Sequence, residues 1–178
     1  MEAVDIGPSG STVVVDPTGL NITFQQVNPA YLGQSPYDAV ADAGSTDAGW
    51  NTVIRTTDYH FPDITSVVVL TGLTTGADYQ LQLFVGDTRG CCSSREQRIG
   101  DGNGHWSSFI SQGALTSLVG TFTADGATQT LSFDANPDNS PILNAYVLRQ
   151  VTAVPEPANL MLMLAGLGAL GVRLRRRG

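Results

Sequence analysis

Apolar and polar residues alternate with a period of two along most of this chain. In residues 78–87, Tyr79, Leu81, Leu83 and Val85 fall on one face and Gln80 and Gln82 on the other, the repeat of a half-buried β-strand. The same repeat puts Phe84 on the polar face, so Phe84→Ser is expected to cost less than Leu83→Ala. Further strands are predicted at residues 12–16, 21–27, 53–58, 64–71, 95–99, 118–124, 128–134 and 143–151. Asp125-Gly126, between two of these, predicts a hairpin, and residues 31–49, rich in Gly, Ser and Asp, read as a long loop. Nothing before residue 152 holds a helical repeat for three turns.

Many short alternating strands, with no helix to cover a sheet, predict an all-β domain over residues 1–152 built as a two-sheet antiparallel β-sandwich. A jelly roll fits better than an immunoglobulin-like sandwich, because no Cys…Trp…Cys spacing is present. Tyr79, Leu81, Leu83, Val85, Phe122, Leu131 and Phe133 are then expected in one core between the sheets.

Charge narrows the function classes. The 178 residues carry a net charge of -7 and no lysine, and four of the nine arginines sit in the last six residues. Residues 1–153 alone hold five arginines against fifteen acids, a net of -10. A body this acidic cannot replace the counterions of a phosphate backbone, which excludes sequence-independent binding to nucleic acid. The two cysteines, Cys91 and Cys92, are adjacent and cannot staple distant segments. A vicinal ring, free thiols and a bridge to another molecule are all open to them.

No constellation reads as catalytic. His60 and His105 are the only histidines, without metal-ligand spacing, and neither a Gly-x-Ser-x-Gly elbow nor a phosphate loop occurs. The expectation is a protein that is not an enzyme. The most site-like cluster is Asp101-Gly102-Asn103-Gly104, where Asp101 and Asn103 offer oxygens to a hard cation such as Ca2+, with Asp87 or Asp134 as further donors. A plain turn is the alternative. Sugar recognition needs a flat aromatic face and polar partners for hydroxyls. Trp106 with His105 is the best candidate, Trp50, Tyr59 and Tyr31 are others, and Arg89 and Arg95 are candidate ligand contacts.

The C-terminus has a different character. Val154-Pro155-Glu156-Pro157 precedes an uncharged run from Leu160 to Val172 and then Arg173, Arg175, Arg176 and Arg177. Residues 158–174 would make a helix of about 26 Å, apolar on all sides. The expectation is a membrane helix outside the sandwich, held at the inner membrane with its arginines on the cytoplasmic side. Residues 153–178 resemble the PEP-CTERM sorting signal of Gram-negative bacteria. Pro155, Glu156 and Pro157 match it position by position, while Asn159 stands where small or hydroxyl residues are usual. The resemblance implies recognition and cleavage by an exosortase, a membrane protease-transpeptidase, in a species that makes exopolysaccharide. Proteins of this kind carry a signal peptide; residues 1–7 have neither a basic nor an apolar region, and the natural start is expected upstream.

The segments 70–84, 120–126 and 143–149 also resemble the jelly-roll modules found in front of such tails, which are similar to galactose-binding-like carbohydrate-binding domains. That resemblance implies no catalytic residues. Together these readings predict an exported protein, membrane-anchored before processing and then at the cell surface or secreted, that binds exopolysaccharide. The alternatives are a structural or adhesive surface protein without sugar specificity and, third, a glycoside hydrolase.

Overall fold

Runs of valine and threonine supply the strands, because β-branched side chains suit a pleated surface better than a helix. The computed structural model describes residues 1–6, 10–15, 19–27, 37–41, 44–59, 65–91, 94–136 and 140–151. In chain order the elements are β1 (Glu2–Ile6), β2 (Gly10–Val15), β3 (Asn21–Val27), β4 (Tyr37–Asp38), α1 (Ala48–Arg55), β5 (Thr56–Tyr59) and β6 (Thr65–Thr71). They continue with β7 (Asp78–Val85), β8 (Glu96–Gly100), β9 (Ile110–Ser111), β10 (Thr116–Thr123), β11 (Thr128–Ala135), β12 (Ile142–Leu143) and β13 (Ala145–Val151).

These strands form a six-stranded sheet in the order β10-β7-β13-β1-β3-β2, a four-stranded sheet β6-β11-β8-β9 and a small sheet β12-β5-β4. From β6 onward the chain passes back and forth between the two large sheets, which gives the wrapped path of a jelly roll. One pairing departs from the antiparallel expectation: β1, which the alternation analysis did not assign, runs parallel to β3, with Val4 opposite Gln25.

The expected hairpin at Asp125-Gly126 is not one. β10 pairs with β7 in the six-stranded sheet and β11 with β6 and β8 in the four-stranded sheet, so the link crosses the sandwich. Gly126 does not take the left-handed φ that a type I′ turn needs. The Gly72–Ala77 link makes the same crossing, and the two arches bond each other through Leu73 N to Ala127 O, Gly76 N to Ala124 O and Ala124 N to Ala77 O. Phe122 and Leu131 thereby lie in facing sheets, where both add to one core.

That core contains Tyr79, Leu81, Leu83, Val85, Leu131 and Phe133, with Phe122 packed against it, as the alternation predicts. A second cluster lies on the opposite surface of the six-stranded sheet, where α1 packs Val53 and Ile54 over Phe24, Phe84, Ala145 and Val147. Residues 48–55 were expected to divide between loop and strand. They form a helix because Asp47 caps it, accepting from Trp50 N at 3.0 Å, and because a two-turn helix is too short to show a three-turn repeat. Fully buried Asn144 ties the elements together: its amide oxygen accepts from Gly86 N, and its NH2 donates to Ile54 O and Gly86 O.

The helix expected at residues 158–174, with its membrane contact, falls outside the described residues. Among the described residues no helix is long and apolar enough to cross a membrane.

Candidate functional site

The sequence-derived candidates divide between the two ends of β8. Arg95 immediately precedes this strand and Asp101 immediately follows it, a separation of about 20 Å at strand rise. Arg89 and Arg95 therefore belong to one locality, and Asp101, Asn103, His105 and Trp106 to another.

At the first end, Arg89 donates from Nε and from a terminal nitrogen to the Asp87 carboxylate at 2.9 and 2.7 Å. The same guanidinium lies 4.1 Å from the centre of the Tyr37 ring, and the Tyr37 hydroxyl donates to Asp87 at 2.9 Å. Burial pushes the Asp87 carboxyl up, but the hydrogen bonds from Arg89 and Tyr37 outweigh it and hold the group below its ordinary value. Burial raises the Tyr37 phenol, and the adjacent Asp87 raises it further. Arg89 thus serves Asp87 and Tyr37, while Arg95 is half-buried and its carbonyl accepts from Gln112 N at 2.8 Å. Cys91, next to this cluster, is disulfide-bonded, and Cys92 lies outside the described residues.

At the second end, Gly102 and Gly104 take φ of +79° and +96°, which only glycine adopts freely. They fold the turn so that Asp101 Oδ1 accepts from Asn103 N and His105 N, and Oδ2 bonds His105 Nδ1 at 2.7 Å. The His105 hydrogen bond is the main reason the Asp101 carboxyl sits below its ordinary range. A calcium ion at Asp101 and Asn103 would have to displace these bonds. Asp134 and Asp87, the expected further donors, are each paired with an arginine. Among the described residues no three His, Cys, Asp or Glu side chains gather as a metal cluster.

Trp106 follows from this turn. Its backbone bridges to Gly100, and a Cβ at Gly100 would come within 2.9 Å of the indole, so glycine lets the ring lie on β8. Arg98, on the same outer face of the four-stranded sheet, places its guanidinium 4.8 Å from the Trp106 ring centre and 5.1 Å from that of Phe109. Asp134, opposite Arg98 on β11, holds that guanidinium at 2.7 Å. Trp106 and Phe109 remain 39% and 43% exposed, so the result is an open aromatic platform fixed from below by a paired arginine. Arg98 and Phe109 were not singled out from the sequence. An arginine at a strand's polar position looks merely solvated, and only the β8–β11 register brings it to Asp134.

Two further features border these residues. A cleft of about 330 Å³ opens between β10 and the Asp101 turn, with Leu81, Leu118 and Leu131 inside and Asn103, Thr121 and Gln129 among its polar lining. Trp106 lies outside it. Trp50, the other tryptophan, is on α1, over the opposite sheet. Tyr31 and His60 lie outside the described residues.

No curated protein sequence matches the chain. In the solved structures it is similar to a β-glucuronidase of Bacteroides uniformis, at 18% identity and a TM-score of 0.62, over 85% of this chain and 18% of that one. It is also similar to the ANXUR2 extracellular domain from Arabidopsis thaliana, at 13% identity and a TM-score of 0.58, over 88% of this chain and 51% of that one. The plant receptor FER, in its complex with the peptide RALF23 and LLG2, matches at 13% identity and a TM-score of 0.61, over 86% of this chain and 49% of the other. The chain thus spans about a fifth of the glucuronidase and half of the receptor chains, and the shared feature is the β-sandwich fold. Residues 153–177 match the PEP-CTERM protein-sorting motif. With that motif behind a β-sandwich, the chain carries the sorting signal of an exported protein, a signal that implies processing by an exosortase, a membrane protein.

Proposed function

We propose that the sandwich binds polysaccharide outside a Gram-negative cell, without cleaving it, and that exosortase processing delivers it to the surface or the surrounding exopolysaccharide. The observation that carries this reading is the Trp106–Arg98–Phe109 platform: two exposed rings on a sheet face that no described element covers, held by an arginine that Asp134 fixes. An indole face packs against the C–H side of a sugar ring, and the neighbouring Asp101–His105 turn supplies groups for its hydroxyls. The β-glucuronidase among its structural neighbours supports the reading as analogy only.

Affinity electrophoresis of the full chain through gels containing dextran, galactan or glucomannan tests it. Retardation by at least one polymer is expected, with Trp106→Ala and Phe109→Ala each removing most of it. Equal mobility in all gels, or unchanged retardation in both variants, overturns the reading.

A second reading, a structural surface component without sugar specificity, is favoured by the uncharged edge strand β10. Its sequence TSLVGTFT carries no charge, and Val119 is 59% exposed.

A further inference from the structure

We infer that the hollow on the outer face of the six-stranded sheet, walled by Trp50 and floored by Gln82 and Arg149, is a second ligand site that takes a neutral hexose unit of a polysaccharide. The ligand class rests on the polysaccharide reading above, whereas the site rests on residues that the platform does not share.

The hollow exists because α1 covers only part of this sheet. Phe84 and Val147 lie under the helix, while two residues further from it on the same strands, Gln82 on β7 and Arg149 on β13 keep the same outward direction. The space enclosed is about 440 Å³, within the range of about 300–1,000 Å³ typical of small-molecule sites. Its aromatic wall is fixed in place. Trp50 is tied to Asp47 through its backbone N–H, packs edge-on to Phe84 at 4.7 Å and lies 6.4 Å from the Phe24 ring.

Arg149 is the telling residue. It has no ion pair among the described residues, and its Nε is buried without a hydrogen-bond partner. A buried donor lacking an acceptor is costly to the fold, and a ligand oxygen in the hollow would satisfy it. Gln82 offers both an amide donor and an acceptor, and the Ser45 hydroxyl and Asp47 carboxylate also line the space.

Charge decides the ligand class. The one guanidinium and one carboxylate of the lining cancel, and the surrounding body carries a net charge of -10. An anionic sugar would gain Arg149 but meet Asp47 and a repulsive field. A neutral ring whose hydroxyls both donate and accept can use Arg149, Gln82, Ser45 and Asp47 together, with its C–H face on the indole. Two sites on opposite sheets would let one domain bridge two polysaccharide chains, turning weak single contacts into avid ones.

Trp50 and Trp106 are the only tryptophans in the chain, so each site can be watched separately. The full chain, in a detergent without sugar headgroups, is titrated with neutral gluco-, galacto- and manno-oligosaccharides and with oligogalacturonate. In the Trp106→Phe chain, Trp50 emission is expected to shift saturably with at least one neutral series and not with oligogalacturonate. Adding Arg149→Met or Gln82→Met should weaken that binding about tenfold or more, with near-ultraviolet circular dichroism unchanged. A silent Trp50, alongside a responsive Trp106 in the Trp50→Phe chain, overturns the second site and leaves the platform standing; silence of both overturns both. A response to oligogalacturonate alone overturns the neutral class. Undiminished binding in both Arg149→Met and Gln82→Met overturns the placement.

Discussion

Trp50 meets Phe84 edge to face on the outer surface of the six-stranded sheet, with ring centres 4.7 Å apart and planes at 73°. The contact buries a phenylalanine that the strand repeat assigns to solvent: Phe84 is only 9% exposed. Phe84→Ser therefore removes a packed ring and leaves a hydroxyl beneath the helix. It should cost about 3–5 kcal/mol, at least as much as Leu83→Ala, whose range is about 2–5. Urea unfolding of both variants decides between the orders, and a clearly smaller loss for Phe84→Ser would show that α1 does not seal this face.

The alternation of residues 78–87 made one side of β7 legible and misjudged the other for a definite reason. Period two reports which residues share a face, and Tyr79, Leu81, Leu83 and Val85 do share the core. It cannot report that a later-packing element covers the second face, and α1 is too short to leave a repeat of its own. Asp125-Gly126 failed similarly: two flanking strands with a turn between them look alike whether they pair side by side or face each other across a core. The candidate platform was legible in the sequence only in part. Trp106 stood out as a candidate because an aromatic beside a polar turn is recognisable locally, but Arg98 and Phe109 join it through a β8–β11 register that no local pattern encodes.

The Asp87–Arg89 pair sets a pH dependence. Asp87 is 1% exposed and its carboxyl is held below the ordinary value of about 3.9. A depressed carboxyl contributes stability that is fully present above the unfolded value and is lost as pH falls through the folded one. Arg89→Met removes the bonds that lower Asp87 but leaves its burial, so the acid-unfolding midpoint should move to higher pH. At pH 7 the loss should be about 1–3 kcal/mol, reduced by the partial exposure of Arg89. Circular dichroism from pH 7 to pH 2 measures both effects. An unmoved acid midpoint would mean that Arg89 does not control this carboxyl.

An uncharged, exposed edge such as β10 lacks the charges that usually deter strand pairing between molecules. The full chain should associate with rising concentration, and more so at high salt, where screening weakens repulsion between acidic bodies. Val119→Lys should shift the balance toward monomer. Sedimentation velocity at low and high salt reads this directly. A molar mass that neither salt nor Val119→Lys alters would remove the edge as a contact.

Gly49 stands where the first turn of α1 crosses β2. A Cβ there would lie 2.4 Å from the Val13 carbonyl oxygen, a backbone atom that cannot rotate away, so Gly49→Ala must push the helix off the sheet. Overpacking of this kind costs about 1–3 kcal/mol even though alanine favours the helix. Gly120, on β10, is the control: nothing lies within 4 Å of its added Cβ and its φ is not left-handed, so Gly120→Ala should change stability by no more than about 0.5 kcal/mol. Because α1 carries Trp50, the Gly49→Ala shift should alter Trp50 emission in a Trp106→Phe background. Trp106, on the other large sheet, should be unmoved in a Trp50→Phe background. Equal stabilities for the two alanine variants, or a spectral change confined to Trp106, would show that the helix does not rest on Val13 and that the Trp50 wall is not set by it.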